Sequence, residues 1–76
     1  MHLTGAGARS VTTLVNGKEY SATVGTTVQA VVDELALGRS GIAVALNGEV
    51  VSKSRWTDTF VGEGDRLEVL TAAQGG

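Results

Sequence analysis

The residues best suited to take part in a reaction stand at the end of the sequence, where Gly75 and Gly76 close a chain of 76 residues. A terminal glycine carboxylate has no side chain beside it, so it can enter a narrow channel and present its oxygen to an electrophile. Because the pKa of a chain-terminal carboxyl group is ordinarily about 3.3 to 3.7, the group is ionised at neutral pH. A carboxylate becomes a good acyl donor only after activation, usually by attack on the α-phosphate of ATP. The ending therefore predicts a carrier that other proteins activate.

The rest of the chain offers few groups for catalysis. It has no cysteine and one histidine, His2, which excludes disulfides, thiolate metal sites and an imidazole cluster. Asp33 and Glu34 are adjacent, so on a helix they point about 100° apart and do not converge. Neither common phosphate-binding glycine motif is present. We therefore predict a protein that is not an enzyme and holds no metal or cofactor, and that meets ATP and magnesium on a partner.

Composition and charge narrow the class of protein further. Six Lys/Arg and eight Asp/Glu give a formal net charge of −2, and the basic residues are scattered, which argues against a nucleic-acid binder. No apolar run approaches the roughly 18 residues needed to span a bilayer, and residues 1–10 lack the apolar core of a signal peptide. We expect a cytoplasmic protein whose residues 1–10 are a mobile leader or a remnant of expression.

The first half of the chain predicts a hairpin. Residues 11–15 are rich in β-branched side chains, precede the turn pair Asn16-Gly17, and are followed by a returning strand at residues 19–24. Alternation places the odd-numbered residues of the first strand on one face and Thr12 and Leu14 on the other. The sheet should therefore have one apolar face and one mixed face.

A helix should follow this hairpin. Thr26 and Gln29 have the S/T-x-x-Q spacing of a capping box, which marks a helix start. Gly38 is placed to end the helix, because glycine adopts the left-handed conformation without steric cost. Between them, apolar residues recur at i, i+3, i+4 and i+7 and form a stripe for the sheet. This stripe consists of Val28, Val31, Val32 and Leu35.

The second half predicts another hairpin and a last strand. Residues 42–46 end at the turn pair Asn47-Gly48 and return through residues 50–51. In the irregular segment that follows, Trp56 and Phe60 are expected to anchor the loop over the edge of the core. A turn at residues 62–65 then leads to a strand at residues 66–70, whose second and fourth side chains face the core.

This order of elements suits a mixed sheet of four to five strands packed on one helix, the α+β arrangement of the ubiquitin-like β-grasp fold. Parallel pairing of the first and last strands would place both at the centre of the sheet. We assign residues 11–70 to this domain and residues 71–76 to a flexible C-terminal tail. The extended tail reaches about 20 Å, at a rise of about 3.3 to 3.6 Å per residue.

A docking surface is predicted on the sheet face away from the helix. Leu14 and Leu70 should lie there on neighbouring strands, beside the small residues Ala43 and Ala45, and form an apolar patch for partner enzymes. Gln74 is a further candidate contact, within the tail. The alternative interpretation is that isolated surface leucines are ordinary, because about 55 to 60% of a folded surface is apolar.

Three sequence segments, VALNGEVVSKSRW, GEGDRLEVL and the closing QGG, resemble the ThiS family of sulfur-carrier proteins of thiamine biosynthesis, which share the β-grasp fold with ubiquitin. The resemblance covers residues 11–76. It implies that a ThiF-like enzyme adenylates the carboxylate of Gly76. Sulfur from a cysteine-desulfurase pathway would then displace AMP, and the resulting thiocarboxylate would serve thiazole synthase. Two features depart from the family pattern: Ser52 stands where many relatives carry proline, and residues 1–10 precede the usual start.

Two other functions are compatible with these residues. The molybdopterin-synthase small subunit is another β-grasp carrier with the same glycine ending, and its partner is the large synthase subunit. A plain β-grasp interaction module would have incidental terminal glycines, so deletion of Gly76 would cost it nothing. A hydrolytic enzyme is a distant third, because no base, nucleophile and orienting group converge visibly.

Overall fold

A computed structural model describes residues 9–35 and 41–71. The chain forms the following elements: β1 (Ser10–Val15), β2 (Lys18–Thr23), α1 (Val28–Leu35), β3 (Ile42–Leu46), β4 (Glu49–Val51), a 3₁₀ turn (Lys53–Arg55) and β5 (Arg66–Thr71). The first and last residues of each strand agree with the predicted ones to within one residue. Ser10 and Thr71 both belong to strands, so the described fold extends one residue beyond each end of the predicted domain. Residues 1–8, Gly38 and residues 72–76 lie outside the described residues.

The five strands form one mixed sheet in the order β2-β1-β5-β3-β4. The first and last strands pair in parallel at the centre of the sheet, as the order of elements predicted, while the other neighbouring strands pair antiparallel. Together with the one helix of the described residues, this arrangement confirms the ubiquitin-like β-grasp fold.

Both hairpin turns have the backbone conformation that their Asn-Gly pairs predict. Asn16 and Asn47 each have a φ of 52°, and the glycines that follow them, Gly17 and Gly48, have φ values of 83° and 86°. Positive φ at both central positions gives a turn whose twist matches that of the flanking strands. Because asparagine and glycine tolerate this region best, the turns follow from local sequence.

The core lies between α1 and one face of the sheet. Val28, Val31 and Val32 of the predicted helical stripe are buried, and they face Val44 and Leu67 of the sheet. The prediction for the fourth stripe residue is wrong, since Leu35 is 47% exposed. It is the last helical residue that the structure describes.

The two predicted aromatic anchors behave differently. Trp56 is buried, and its indole Nε1 donates a 2.9 Å hydrogen bond to the carbonyl of Val51. Phe60 is 58% exposed, so its predicted anchoring role is wrong. Its backbone forms a bridge with Thr27, and the neighbouring Val61 supplies the buried side chain instead.

The helix begins one residue later than the predicted capping box requires. The Ala30 amide donates to Oγ1 of Thr27 at 3.1 Å, so Thr27 rather than Thr26 caps the helix. The Gln29 side chain donates forward to Asp33, at 2.8 Å, instead of reaching back. The Thr26 carbonyl accepts a bond from the amide of Val61, which commits Thr26 to the packing of a distant loop.

Candidate functional site

The described part of the candidate site is the end of β5, from which residues 72–76 continue. On one side, β3 accompanies β5 to its last residue, with Ala43 opposite Leu70 and Ile42 opposite Thr71. The sequence candidates Gln74, Gly75 and Gly76 lie outside the described residues. The geometry that can be described is therefore that of β5, the strand that precedes them in the chain.

On its other side, the end of β5 is held by a side chain. The β1 backbone pairs with β5 as far as Val15 opposite Leu67, and the Asn16 amide then donates to the Leu67 carbonyl at 2.9 Å. Beyond that point the chain turns away. Oδ1 of Asn16 accepts the Val69 amide at 2.8 Å, and its Nδ2 donates to the Val69 carbonyl at 3.2 Å.

The sequence analysis assigned Asn16 only a role in the turn and missed this second one. The available signal was an Asn-Gly pair at the end of a strand predicted to run parallel to the last strand. In that arrangement the turn must lie beside the distal half of the last strand, within reach of a short amide side chain.

The start of β5 is held by the other hairpin turn. Asn47 donates from its backbone to the Arg66 carbonyl at 2.7 Å, and its Oδ1 accepts the Arg66 amide at 2.9 Å. Its Nδ2 donates to Oδ1 of Asp65 at 3.1 Å, while Oδ2 of Asp65 accepts the Gly62 amide at 2.8 Å. One asparagine thus bonds each end of β5, and of the two only Asn16 bonds the end from which residues 72–76 continue.

The predicted docking leucines share the open face of the sheet but do not adjoin. Leu14 is half-buried and lies opposite Arg66 on β5. Leu70 is 62% exposed and stands four residues further along β5, about 13 Å away at ~3.3 Å per residue. Arg66 and Glu68 occupy the open-face positions before Leu70, so the expected single patch is corrected to a patch around Leu70 alone.

The apolar residues around Leu70 form what we call the exit patch: Leu70, Ala43, Ala45 and Val50. Ala43 lies opposite Leu70, and Val50 lies opposite Ala45, so all four side chains are on the same face. Val50 is 83% exposed. The sequence analysis missed Val50 because its run, Val50-Val51, does not show which of the two residues faces the core.

The carboxylates noted in the sequence each have a separate structural partner. Asp33 accepts the hydrogen bond from Gln29, and Glu34 accepts one from the hydroxyl of Tyr20 on β2. This hydrogen bond, together with burial and the negative charge of Glu34, raises the pKa of Tyr20 to about 12. The Tyr20–Glu34 pair joins the helix to the edge strand and lies away from the end of β5.

The described residues show no metal centre, because they contain no group of three or more His, Cys, Asp or Glu side chains that could hold an ion. In the same part of the chain, no helix has the length and apolar character needed to cross a membrane.

The mixed five-stranded sheet and the helix packed on it define a small ubiquitin-like β-grasp domain. The chain belongs to the ThiS family, whose family model matches residues 13–76. The crystal structure of the thiamine biosynthesis protein ThiS from Geobacter metallireducens is similar, with a TM-score of 0.66 and 31% sequence identity. That likeness covers 87% of this chain and all of the Geobacter chain.

Two relatives of known name match over 63 residues, or 83% of this chain. The sulfur carrier protein ThiS of Escherichia coli is 27% identical and is covered over 96% of its length. A thiazole synthase of Paramagnetospirillum magneticum is 35% identical. The chain spans only 19% of that synthase, so the resemblance concerns one segment of a much longer protein.

Proposed function

We propose that this protein is a sulfur carrier of thiamine thiazole biosynthesis and that the sulfur is bound at Gly76. The observation that supports this proposal most strongly is the ThiS family match, which runs through Gly75 and Gly76. The Escherichia coli relative, which aligns over nearly its whole length, is a sulfur carrier by name. The proposed setting is the cytoplasm, where ATP is available.

The proposed chemistry has two steps, both on partner enzymes. A ThiF-like enzyme holds ATP and magnesium, and an oxygen of the Gly76 carboxylate attacks the α-phosphorus. Pyrophosphate leaves with the electron pair of the broken P–O bond, which gives an acyl-adenylate. Hydrosulfide (HS⁻) supplied by a cysteine-desulfurase pathway then attacks the acyl carbon, and AMP leaves with the electron pair of the broken C–O bond. The net change is one oxygen of Gly76 replaced by sulfur, with this chain as the substrate in both steps.

Thiazole synthase is the proposed acceptor of that sulfur. The thiazole synthase of Paramagnetospirillum magneticum contains a segment that resembles this chain. A carrier-like segment within the same polypeptide as the synthase is the arrangement expected when the two must meet repeatedly, because linkage raises their effective concentration. We propose that this chain makes the same encounter with a thiazole synthase.

The exit patch is the proposed docking surface for the adenylating enzyme. Residues 72–76 span roughly 17 Å when extended, at about 3.3 to 3.6 Å per residue, so the bound ATP must lie within that distance of Thr71. Leu70 and Ala43 are the open-face residues beside Thr71 and Ile42. A partner that receives Gly76 must therefore lie close to them. Gln74 is proposed to contact the channel that the tail enters.

Intact-mass measurement tests the proposed function. The protein is incubated with ATP, magnesium, a ThiF-type enzyme and a sulfur source, and the expected result is the mass gain for exchange of one oxygen for one sulfur. Fragmentation should place the gain on Gly76, and a variant without Gly76 should show none. An unchanged mass in the complete mixture would refute the carrier function and favour a plain interaction module.

The acceptor is tested separately with the sulfur-loaded protein. Thiazole synthase and the large subunit of molybdopterin synthase are offered in parallel, and loss of the sulfur is followed by mass. The proposal expects transfer with thiazole synthase. Transfer only with the molybdopterin-synthase subunit would assign the chain to the molybdenum cofactor pathway instead.

A further inference from the structure

We propose that Asn16 is a positioning residue, whose side chain fixes the last three residues of β5 and so sets the point from which the C-terminal segment reaches a partner. The consequence for catalysis rests on the proposed carrier function, whereas the placement of Asn16 stands on the geometry alone. The residue makes no contact with the reacting carboxylate in this proposal; it acts through Val69.

The geometry shows a side chain that continues a backbone ladder. Along the parallel pair, the Leu14 amide donates to the Asp65 carbonyl at 2.8 Å, and the Asn16 amide donates to the Leu67 carbonyl at 2.9 Å. If β1 continued, its next residue would have to bond both the backbone amide and the backbone carbonyl of Val69. Because φ of Asn16 is 52°, the backbone leaves the sheet there, and the side-chain amide takes both bonds instead.

The two bonds matter because β1 gives this part of β5 no backbone pairing. Past Leu67, the paired residues of β5 have only β3 as a backbone neighbour within the described chain. The Val69 side chain is in the core, and both hydrogen bonds between Val69 and Asn16 are partly buried. Removal of the Asn16 amide would leave those groups without protein partners on that side, which favours opening of the strand end toward water.

Opening of the strand end would alter delivery of Gly76. The five residues after Thr71 form a short connection, and an approach to an electrophile is efficient only when the reacting atoms are held close and aligned. If Val69, Leu70 and Thr71 move, both the exit patch and the start of that connection move with them. Loss of the Asn16 side chain should therefore slow the reaction of Gly76 on the partner enzyme more than a substitution elsewhere that lowers the free energy of unfolding by the same amount.

Asn47 provides a matched control within the same chain. It has the same φ of 52°, is also followed by a glycine, and also bonds β5 through its side chain, but at Arg66, the first residue of the strand. Asn16→Gly and Asn47→Gly each remove the side-chain bonds and keep a residue that accepts positive φ. Both variants are first compared by circular dichroism and by free energy of unfolding.

Hydrogen exchange tests the placement of Asn16. In Asn16→Gly we expect exchange at the Val69 amide to accelerate by roughly tenfold, the factor that corresponds to loss of one or two hydrogen bonds. Asn47→Gly should leave the Val69 amide at the wild-type rate. If Asn16→Gly does not fold, Asn16→Asp replaces it, because its second carboxylate oxygen would face and repel the Val69 carbonyl where Nδ2 donated, which should open the strand end and make the Val69 amide exchange faster than in wild type. Wild-type exchange at Val69 in the folded variant would overturn the proposal.

The kinetics of adenylation test the consequence for the reaction of Gly76. With a ThiF-type enzyme, ATP–pyrophosphate exchange should show a fall in kcat/KM of roughly tenfold for Asn16→Gly, again the factor for one or two lost hydrogen bonds. Asn47→Gly should keep at least half of the wild-type value. Equal losses in the two variants would overturn the positioning role. If the wild-type protein supports no exchange of pyrophosphate, the carrier function fails, whereas Val69 hydrogen exchange still decides the role of Asn16.

Discussion

The hydroxyl of Thr13 donates a 2.9 Å hydrogen bond to the carbonyl of Gly62, 49 positions along the chain, from a side chain with no exposed surface. Thr13 lies on the core face of β1, and Gly62 begins the turn that leads into β5. A polar group in the core is tolerated here because its hydroxyl donates to a backbone carbonyl that lies outside the strands.

Thr13→Val should therefore destabilise the protein although it conserves side-chain shape. The variant removes one of the two donors to the Gly62 carbonyl, which keeps the Asp65 amide at 3.1 Å, so the free energy of unfolding is expected to fall by about 1 kcal/mol. Urea unfolding followed by circular dichroism measures the change. Thr12→Val, at the adjacent position on the open face, is the control and should change stability by less than about 0.5 kcal/mol. Equal effects of the two substitutions would contradict this account.

Trp56 and Phe60 should differ sharply when truncated. Trp56→Ala removes a buried side chain and its bond to Val51, so we expect a loss of about 3 to 5 kcal/mol. Phe60→Ala removes a largely exposed ring and should cost about 1 kcal/mol or less. If Trp56→Ala does not fold, Trp56→Phe supplies a milder comparison, and all variants are measured by chemical denaturation.

The Tyr20–Glu34 pair predicts a pH-dependent stability in alkaline solution. The pKa of Tyr20 rises from 10.0 to about 12 on folding, so its contribution is complete below pH 10 and is lost as the pH rises through about 12. We expect wild type to be more stable than Tyr20→Phe near neutral pH and to lose that advantage between pH 10 and 12. The difference in free energy of unfolding between the two proteins isolates this effect from other titrating groups.

Glu34→Ala tests the cause of the same shift. Removal of the carboxylate acceptor and its charge should bring the pKa of Tyr20 closer to 10.0. Ultraviolet titration of the phenol, the one tyrosine in the chain, reads this directly. A Tyr20 whose pKa is still near 12 in the variant would show that burial, not Glu34, sets the shift.

The exit patch should matter for partner binding but not for folding. Leu70→Asp and Val50→Asp place a charge on exposed apolar positions and are expected to weaken binding to the adenylating enzyme by at least about tenfold, as for an apolar contact in an interface. Ser21→Asp, exposed on the same sheet face but on edge strand β2, is the control and should bind as wild type. Binding is measured by titration calorimetry, and equal affinities for all three variants would remove the patch from the interface.

Much of the fold could be predicted from local sequence. The Asn-Gly pairs marked both hairpins because asparagine and glycine tolerate positive φ, and alternation marked the core face of β1, β3 and β5. Two of the wrong predictions depend on distant partners. Thr27 rather than Thr26 caps the helix, because the Thr26 carbonyl accepts the Val61 amide instead of the first helical hydrogen bond. In the loop near Phe60, Trp56 and Val61 are the buried side chains, and Phe60 is exposed.

The amino-acid sequence alone was enough for the two turns and the chemical character of the Gly75-Gly76 ending, because each depends on residues that are neighbours along the chain. The order of the predicted elements was enough for the class of fold. Long-range packing established that Leu14 lies opposite Arg66, away from Leu70, and that Asn16 bonds Val69. The physical reason is that the register of the parallel pair is set by how segments about 50 residues apart pack together on the helix, and local preferences carry no information about that offset.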